Sequence, residues 1–305
     1  MDILCVGMLR SCSTWQYEVV THLVEGRLGG TRLGYFEGPE YSRLAPASRD
    51  GLRVVKAHHR HPLFAERIAE GTAIPIYAYR DLRDVVFSMA HKFGRSFDEL
   101  LAEGKLHGLL DDDRFWRSQP GVLIQRYEEI IAKPITSVRE LAARIGVALQ
   151  PGEAGRIASE YSFESNLKRT DALTRRLQSD GVDLSDVHNV VRHDPATLLH
   201  WNHLRSGRVG SWREEATISQ RRIMADLFGE WLERTGYELD DLPPPTGSDA
   251  IESSTAAALI QGAAWSPLAG TISPDRELAA PTLMTRLRSR LPRWSKWIAG
   301  SRGSA

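Results

Sequence analysis

The densest chemistry in this sequence is Arg10-Ser11-Cys12-Ser13-Thr14-Trp15. Arg10 brings a fixed positive charge, and Ser11, Ser13 and Thr14 bring hydroxyl donors, the groups that hold an anion. The stretch follows the apolar run Ile3-Leu4-Cys5-Val6 and opens a helical pattern that runs to about Val24. A strand feeding a polar loop into a helix N-terminus is a phosphate cradle. Loop and first-turn N–H groups point at one spot, where the helix dipole favours negative charge. A nucleoside-triphosphate loop would read GxxxxGK[ST] from Gly7. In that register Cys12 stands where the second Gly belongs and Ser13 where the Lys belongs. The cradle suits a phosphate but not ATP or GTP hydrolysis.

Three further clusters carry reactive types. In Val54-Val55-Lys56-Ala57-His58-His59, strand alternation puts Lys56 and His58 on one side. Histidine is the side chain suited to taking a proton near neutral pH, and lysine can stabilise charge developing on a transferring group. His58-His59-Arg60-His61 also raises a metal, but no acid or Cys accompanies it at ligand spacing. In Tyr79-Arg80-Asp81-Leu82-Arg83-Asp84-Val85-Val86-Phe87-Ser88, a buried strand ends at Arg80 and a helix begins at once. Ligands of open α/β sheets sit at the C-terminal ends of strands, so Arg80 reaches the crevice of the first loop, and Ser88 lies two turns along. Finally, Arg205-Ser206-Gly207-Arg208-Val209-Gly210-Ser211-Trp212-Arg213 has the makings of a flexible anion clamp. Each cluster alone also has an ordinary structural reading: a strand-end pair, a helix cap with surface arginines, a surface turn.

The elements that must position these groups alternate. Ile3–Val6, Leu52–Lys56, Ala73–Tyr79 and Gly121–Gln125 read as buried strands, with Thr31–Phe36 a weaker fifth. Helical periodicity follows at Thr14–Glu25, Pro62–Ala69, Asp81–Lys92 and Pro134–Ile145, and again at Ser96–Trp116 and Thr217–Thr235. Asp81 can cap one helix and Pro134 can open another. Such alternation predicts an α/β fold with a central parallel β-sheet of about five strands flanked by helices. Ser179–Gly210 has little periodicity, and a loop of that length is usually functional or disordered. The expected domains are a catalytic unit over 1–241, a Pro/Ala/Ser-rich linker over 242–280 and a basic amphipathic tail over 281–305. The tail fits an anionic membrane or a partner protein, and equally a helix packing on its own domain.

Of the 305 residues 26% are charged and the formal net charge is zero, which speaks against a general nucleic-acid binder. Two cysteines, Cys5 and Cys12, make no disulfide framework. No basic segment followed by a long apolar stretch opens the sequence, and no run of about eighteen apolar residues occurs. The expectation is a cytoplasmic protein.

Together, and in this order, the motifs resemble those of the sulfotransferases that use 3'-phosphoadenosine 5'-phosphosulfate (PAPS), over roughly residues 1–237. The resemblance implies a P-loop-type three-layer fold and no metal. In that family a [K/R]SGTTW loop binds the donor's 5'-phosphate. Here the loop is RSCSTW, which implies that role for Arg10, Ser11, Cys12, Ser13 and Thr14, with Trp15 near the adenine. A KTH-type strand end matches Lys56-Ala57-His58, implying His58 as the catalytic base and Lys56 as a contact to the sulfuryl group. Arg80 through Ser88 resembles RDPRDVxVS, implying 3'-phosphate binding by Arg80 and Ser88. Tyr127-Glu128-Glu129 resembles YEDL, with Tyr127 lining the nucleotide pocket, and Ser162-Phe163 resembles a pair that sets Phe163 near the adenine. Arg205 to Arg213 resembles RKGxxGDWK, implying Arg205, Ser206 and Gly207 at the 3'-phosphate. Cys12 departs from a Gly of the family pattern, Ser206 from a Lys and Ser211 from an Asp.

The expected reaction is sulfuryl transfer from PAPS to a hydroxyl of a small-molecule, lipid or carbohydrate acceptor, leaving 3',5'-bisphosphoadenosine (PAP). Lys56 and Arg10 would stabilise the leaving phosphate oxygen. Two alternatives are a P-loop small-molecule kinase and a non-catalytic nucleotide-binding protein of the same fold. Phe93–Trp116 and Val182–His203, with Trp116, Trp201 and His188, His193, His200 and His203, are the expected acceptor walls. The run Asp111-Asp112-Asp113 suits a sugar acceptor as well as the aromatics suit a phenol or lipid-like alcohol.

Overall fold

The structure, a computed structural model, describes residues 1–44 and 51–242. The tail at 281–305 and the linker from residue 243 lie outside the described residues. The first half of the chain alternates strand and helix. It runs β1 (Asp2–Gly7), α1 (Ser13–Leu23), a wide turn at Val24–Leu28, β2 (Thr31–Tyr35), α2 (Gly38–Tyr41), β3 (Arg53–Ala57), α3 (Pro62–Ala69), β4 (Ala73–Tyr79) and α4 (Leu82–Phe93). Then come α5 (Phe97–Ala102), α6 (Lys105–Arg117), β5 (Leu123–Arg126), α7 (Tyr127–Ala132), α8 (Pro134–Arg144), α9 (Glu153–Glu160) and α10 (Phe163–Ser179). After a long loop, α11 (Trp212–Glu215) and α12 (Ile218–Arg234) follow.

The strands form one sheet in the order β2-β3-β1-β4-β5, and every neighbouring pair is parallel. The central strand β1 is buried from end to end. That is why it reads as an unbroken apolar run rather than an alternating one. Ile3 and Cys5 face a cluster with Val19, Val20 and Leu23 of α1 and Val138 and Leu141 of α8. Leu4 and Val6 face the opposite cluster with Phe64 and Ile68 of α3 and Trp116 of α6. Helices thus cover both faces, giving the three-layer P-loop-type α/β fold. A third cluster seats α4, α5 and α12 together through Leu82, Val86, Leu100, Met224 and Phe228.

All five expected strands are present, including the weaker Thr31–Phe36. Asp81 caps α4 by accepting the Arg83 N–H at 3.0 Å and pairs with the Arg83 guanidinium at 2.8 Å. The helices α9 and α10 have no counterpart in the sequence reading. In α10 the buried residues are Asn166, Thr170 and Leu173. The spacing is helical, but two of the three are polar, so the apolar pattern that announces a helix is missing. No helix among the described residues is long and apolar enough to cross a membrane.

Candidate active site

The loop between β1 and α1 lies at the C-terminal end of the central strand. Its tightness has a clear cause at Gly7. A Cβ there would lie 2.8 Å from the Ser13 Cβ and 3.0 Å from the Ala78 carbonyl oxygen. Arg10 and Cys12 take left-handed backbone conformations, with φ of 66° and 73°. For residues other than glycine this costs about 1–2 kcal/mol each, strain that gathers at functional sites. The first α1 backbone bond runs from the Gln16 N–H to the Cys12 carbonyl at 3.0 Å. The N–H groups of Ser13, Thr14 and Trp15 precede it and point out of the helix end.

The hydroxyls in this loop divide into two kinds. Ser11 is buried, with its Oγ 2.5 Å from the Met8 carbonyl and 2.9 Å from that of Ala78. Its proton is spent inside the loop, so Ser11 shapes the cradle rather than adding the donor expected of it. Ser13 and Thr14 are also buried, in the first turn of α1. Trp15 belongs to the apolar cluster that contains Ile157 and Leu198. Burial pushes the Cys12 thiol up to about 12, so it stays protonated.

Arg10 is held from two sides. Its Nε donates to Ser88 Oγ at 2.9 Å, and a terminal nitrogen donates to the His203 carbonyl at 2.5 Å. Burial and the nearby Arg80 bring its guanidinium down to about 10. Lys56 and His58 meet at the end of β3, with Lys56 Nζ 3.3 Å from His58 Nε2. On its other side, His58 Nδ1 lies 2.7 Å from the Gly7 carbonyl oxygen. A carbonyl only accepts, so Nδ1 carries the proton and Nε2 offers a lone pair. The indole N–H of Trp116 donates to the His58 carbonyl at 2.9 Å and steadies it from behind. Burial, then the Lys56 charge, holds the His58 imidazole well below its usual value. Burial, then the Arg10 charge, lowers Lys56 to about 8. A small cavity beside His58 is lined by Met8, Leu9, Met89 and Leu109, with His59, Lys105 and Asp112 at its polar side.

The late glycine-arginine loop closes the other end of the crevice. Arg80 donates to the Arg208 carbonyl at 2.8 Å and lies 4.2 Å above the Tyr127 ring. The Tyr127 hydroxyl donates to the Gly207 carbonyl at 3.1 Å. Gly207 has φ 64°, and a Cβ there would sit 3.1 Å from the Phe163 ring. Phe163 is the first residue of α10, which Ser162 caps by accepting the Ser165 N–H at 3.2 Å. Four motifs far apart in sequence, at Arg80, Tyr127, Phe163 and Gly207, are thereby brought together. Two members behave otherwise. Arg205 pairs with Glu215 through both terminal nitrogens, one donating to Oε1 and the other to Oε2 at 3.1 Å. The Ser206 hydroxyl accepts the Arg208 N–H at 3.3 Å, within its own turn.

The residue that organises this loop is Asp84, to which the sequence reading gives no role. Its carboxylate is buried and accepts the Gly210 N–H at 2.8 Å, the Trp212 N–H at 3.1 Å and the Ser211 hydroxyl at 3.3 Å. It also pairs with Arg80 at 3.2 Å. The signals for it in the sequence are its place as the second Asp of the RDPRDVxVS-like stretch and its i, i+4 spacing from Arg80.

Of the expected Phe93–Trp116 wall, Lys105, Gly108, Leu109 and Asp112 line the cavity beside His58, while other members are spent elsewhere. Trp116 is fully buried and packs with Phe64 and Phe115. Asp112 pairs with His59 and Arg60, Asp111 with Arg60, and buried Asp113 accepts from Tyr77, Arg117 and Trp231. His61 accepts the Leu63 N–H at 3.3 Å at the start of α3, and His188 is exposed. By contrast His193, His200 and His203 do line up, with ring centroids 5.3 Å and 5.6 Å apart. Among the described residues no three His, Cys, Asp or Glu side chains are grouped to hold a metal ion.

Residues 1–236 match the sulfotransferase domain family. Luciferin sulfotransferase of Photinus pyralis is 27% identical over 229 residues, 68% of this chain and 56% of that protein. Human sulfotransferase 2A1 is 24% identical over 258 residues, 78% of this chain and 81% of that one. The chain therefore spans little more than half the length of the luciferin enzyme. Among solved structures, mouse sulfotransferase SULT7A1 complexed with PAP superposes with a TM-score of 0.56 at 20% identity, covering 83% of this chain and 88% of that one. With the family matched across the cradle, the Lys56–His58 pair and the Asp84-anchored loop, this chain belongs to the sulfotransferase family.

Proposed function

We propose that the protein transfers a sulfuryl group from PAPS to an acceptor hydroxyl, with His58 as the general base. The observation that carries this reading is the meeting of Lys56 and His58 beside the Gly7 carbonyl at the mouth of an anion cradle. The donor chemistry is a group with phosphates at two separate places. Two anchor sets fit it. One is the first turn of α1 with the Ser13 and Thr14 hydroxyls and Arg10. The other is Arg80 with Ser88 and the Gly207 loop, where the buried Arg80 Nε has no partner among the described residues. Tyr127 and Phe163 supply flat surfaces between them for a base.

The donor supplies an electrophilic sulfur whose bond to a phosphate oxygen breaks as the acceptor oxygen bonds to it. His58 Nε2 takes the proton of the acceptor hydroxyl once Lys56 Nζ has turned from that nitrogen to the leaving phosphate oxygen. The Nδ1–H bond to Gly7 fixes the ring and the tautomer for that step. Lys56 and Arg10 hold positive charge where the leaving phosphate oxygen gains negative charge. Their low-dielectric setting strengthens that stabilisation, and no hydroxyl activation by a Lys at Ser13 is needed. The small hollow beside His58 marks where an acceptor would present its hydroxyl.

Transfer of radiolabelled sulfuryl from PAPS to a panel of phenols and alcohols tests this. Wild type is expected to turn over an acceptor, and His58→Asn to lose about 10²–10⁴ in kcat while PAP affinity stays within about two-fold. Equal turnover by the two proteins would remove His58 from the chemistry.

A further inference from the structure

Lys92 is a cation that the donor reading leaves over. It lies on α4 one turn beyond Ser88, on the same face, and Ser88 Oγ is already bonded to Arg10 Nε at 2.9 Å. The long loop binds both cations side by side. The His203 carbonyl accepts from Arg10, and the neighbouring Asn202 Oδ1 accepts from Lys92 Nζ. The Val190 carbonyl, 3.3 Å away, is the second acceptor for Lys92. Lys92 is 7% exposed, so its ammonium is removed from water with only neutral oxygens for company. No carboxylate pairs with it among the described residues.

The wall around it is rich in donors and poor in acids. The His200 and His203 rings stack at 5.6 Å, and His200 Nδ1 is buried without a hydrogen-bond partner among the described residues. Burial, then the charges of Arg10 and Lys56, depresses Lys92 to about 6. The charges acting on Lys92 are thus of its own sign. So depressed, Lys92 is mostly neutral at pH 7 while the site is empty, and it regains its proton where a bound anion supplies the missing charge. Arg10, Arg80 and Lys56 are the cations that the proposed function assigns to the donor's anionic ends, and Lys92 is not among them.

We propose that Lys92, with His200 and His203, forms a subsite for an anionic group on the acceptor itself, a carboxylate or a phosphate or sulfate ester set apart from the reacting hydroxyl. The acceptor is then amphipathic. Its apolar body lies against Met89 and Leu109, its hydroxyl at His58 and its anion at Lys92. This inference rests on the sulfotransferase reading, because it concerns the acceptor of that same site.

The test uses matched probes on the full chain loaded with PAP. The pairs are 3-(4-hydroxyphenyl)propanoate with its methyl ester, and 12-hydroxydodecanoate with its methyl ester, read by calorimetry. In wild type at least one acid is expected to bind about ten-fold or more tighter than its ester, the usual worth of a hydrogen bond to a charged group. Lys92→Met is expected to erase that preference by weakening the acid alone, and Lys92→Arg to keep it. The melting temperature with PAP checks that both variants fold. Acids that bind no better than their esters, or a preference that survives in Lys92→Met, overturn the subsite. So does a Lys92→Met protein that folds but has lost PAP, since Lys92 then belongs to the donor. If wild type itself fails to bind PAP, it is the sulfotransferase reading that falls.

Discussion

Asp84→Ala, on α4, is the most informative single change for the loop that closes the crevice. The carboxylate is buried and serves four donors from two segments: Arg80, and the Gly210 N–H, Ser211 hydroxyl and Trp212 N–H. Removing it leaves a buried guanidinium without its counter-ion, and the buried Trp212 N–H and part-buried Gly210 N–H without acceptors. Breaking a buried pair in this way costs about 3–5 kcal/mol. For a domain of this size that lowers Tm by about 6–20 °C. The damage reaches the ligand site, because the Gly207 carbonyl that holds Tyr127 lies on the released loop. PAP affinity is expected to fall about ten-fold or more, one lost hydrogen bond to a charged group or better. Asp84→Asn keeps one acceptor oxygen and is expected to fall between the two. Thermal melting and PAP calorimetry on the three proteins read both effects. A Tm within about 2 °C of wild type, with PAP affinity unchanged, would refute the view that Asp84 anchors the loop.

Other consequences follow from the same geometry. Lys56 has a lowered value near 8 and must keep its proton to stabilise the leaving oxygen, so kcat/KM for PAPS is expected to decline as pH rises through about 8. His58 is held well below its ordinary value and works as a neutral base, so no acid limb is expected near pH 6.5; a limb there would contradict its buried, Lys56-facing state. Gly207→Ala places a Cβ 3.1 Å from the Phe163 ring at a positive φ, and is expected to weaken PAP by about ten-fold through about 1–2 kcal/mol of backbone strain. Unchanged PAP binding in that variant would show that the Gly207–Phe163 contact does not shape the pocket.

The parts of this site that sequence made legible are local ones. The cradle is one strand, one loop and one helix start, and Arg80 with Ser88 is one strand end and two turns of helix. Their order and types sufficed. Lys56 and His58 could be paired because strand alternation fixes their side, and the structure brings them to 3.3 Å. What sequence hid depends on contacts across long stretches of chain. Asp84 acts on residues at 210–212, and Lys92 on Val190 and Asn202. Trp116 looked like a pocket wall because an aromatic beside a reactive motif reads so, yet its indole is spent on the His58 carbonyl. Asp111 to Asp113 looked available until their partners His59, Arg60, Tyr77, Arg117 and Trp231 came into place. Arg205 looked like a phosphate ligand in a motif, and its near neighbour Glu215 holds it. The same limit explains α10, whose inner face is too polar to show in a periodicity.

The most direct test of the donor assignment is calorimetric binding of PAP against ATP, the latter with and without Mg²⁺, to wild type and Arg80→Ala. Tight PAP binding, weak ATP binding and a loss of PAP affinity in Arg80→Ala are the predicted results. ATP binding tighter than PAP and dependent on Mg²⁺ would contradict the account and return the site to a kinase.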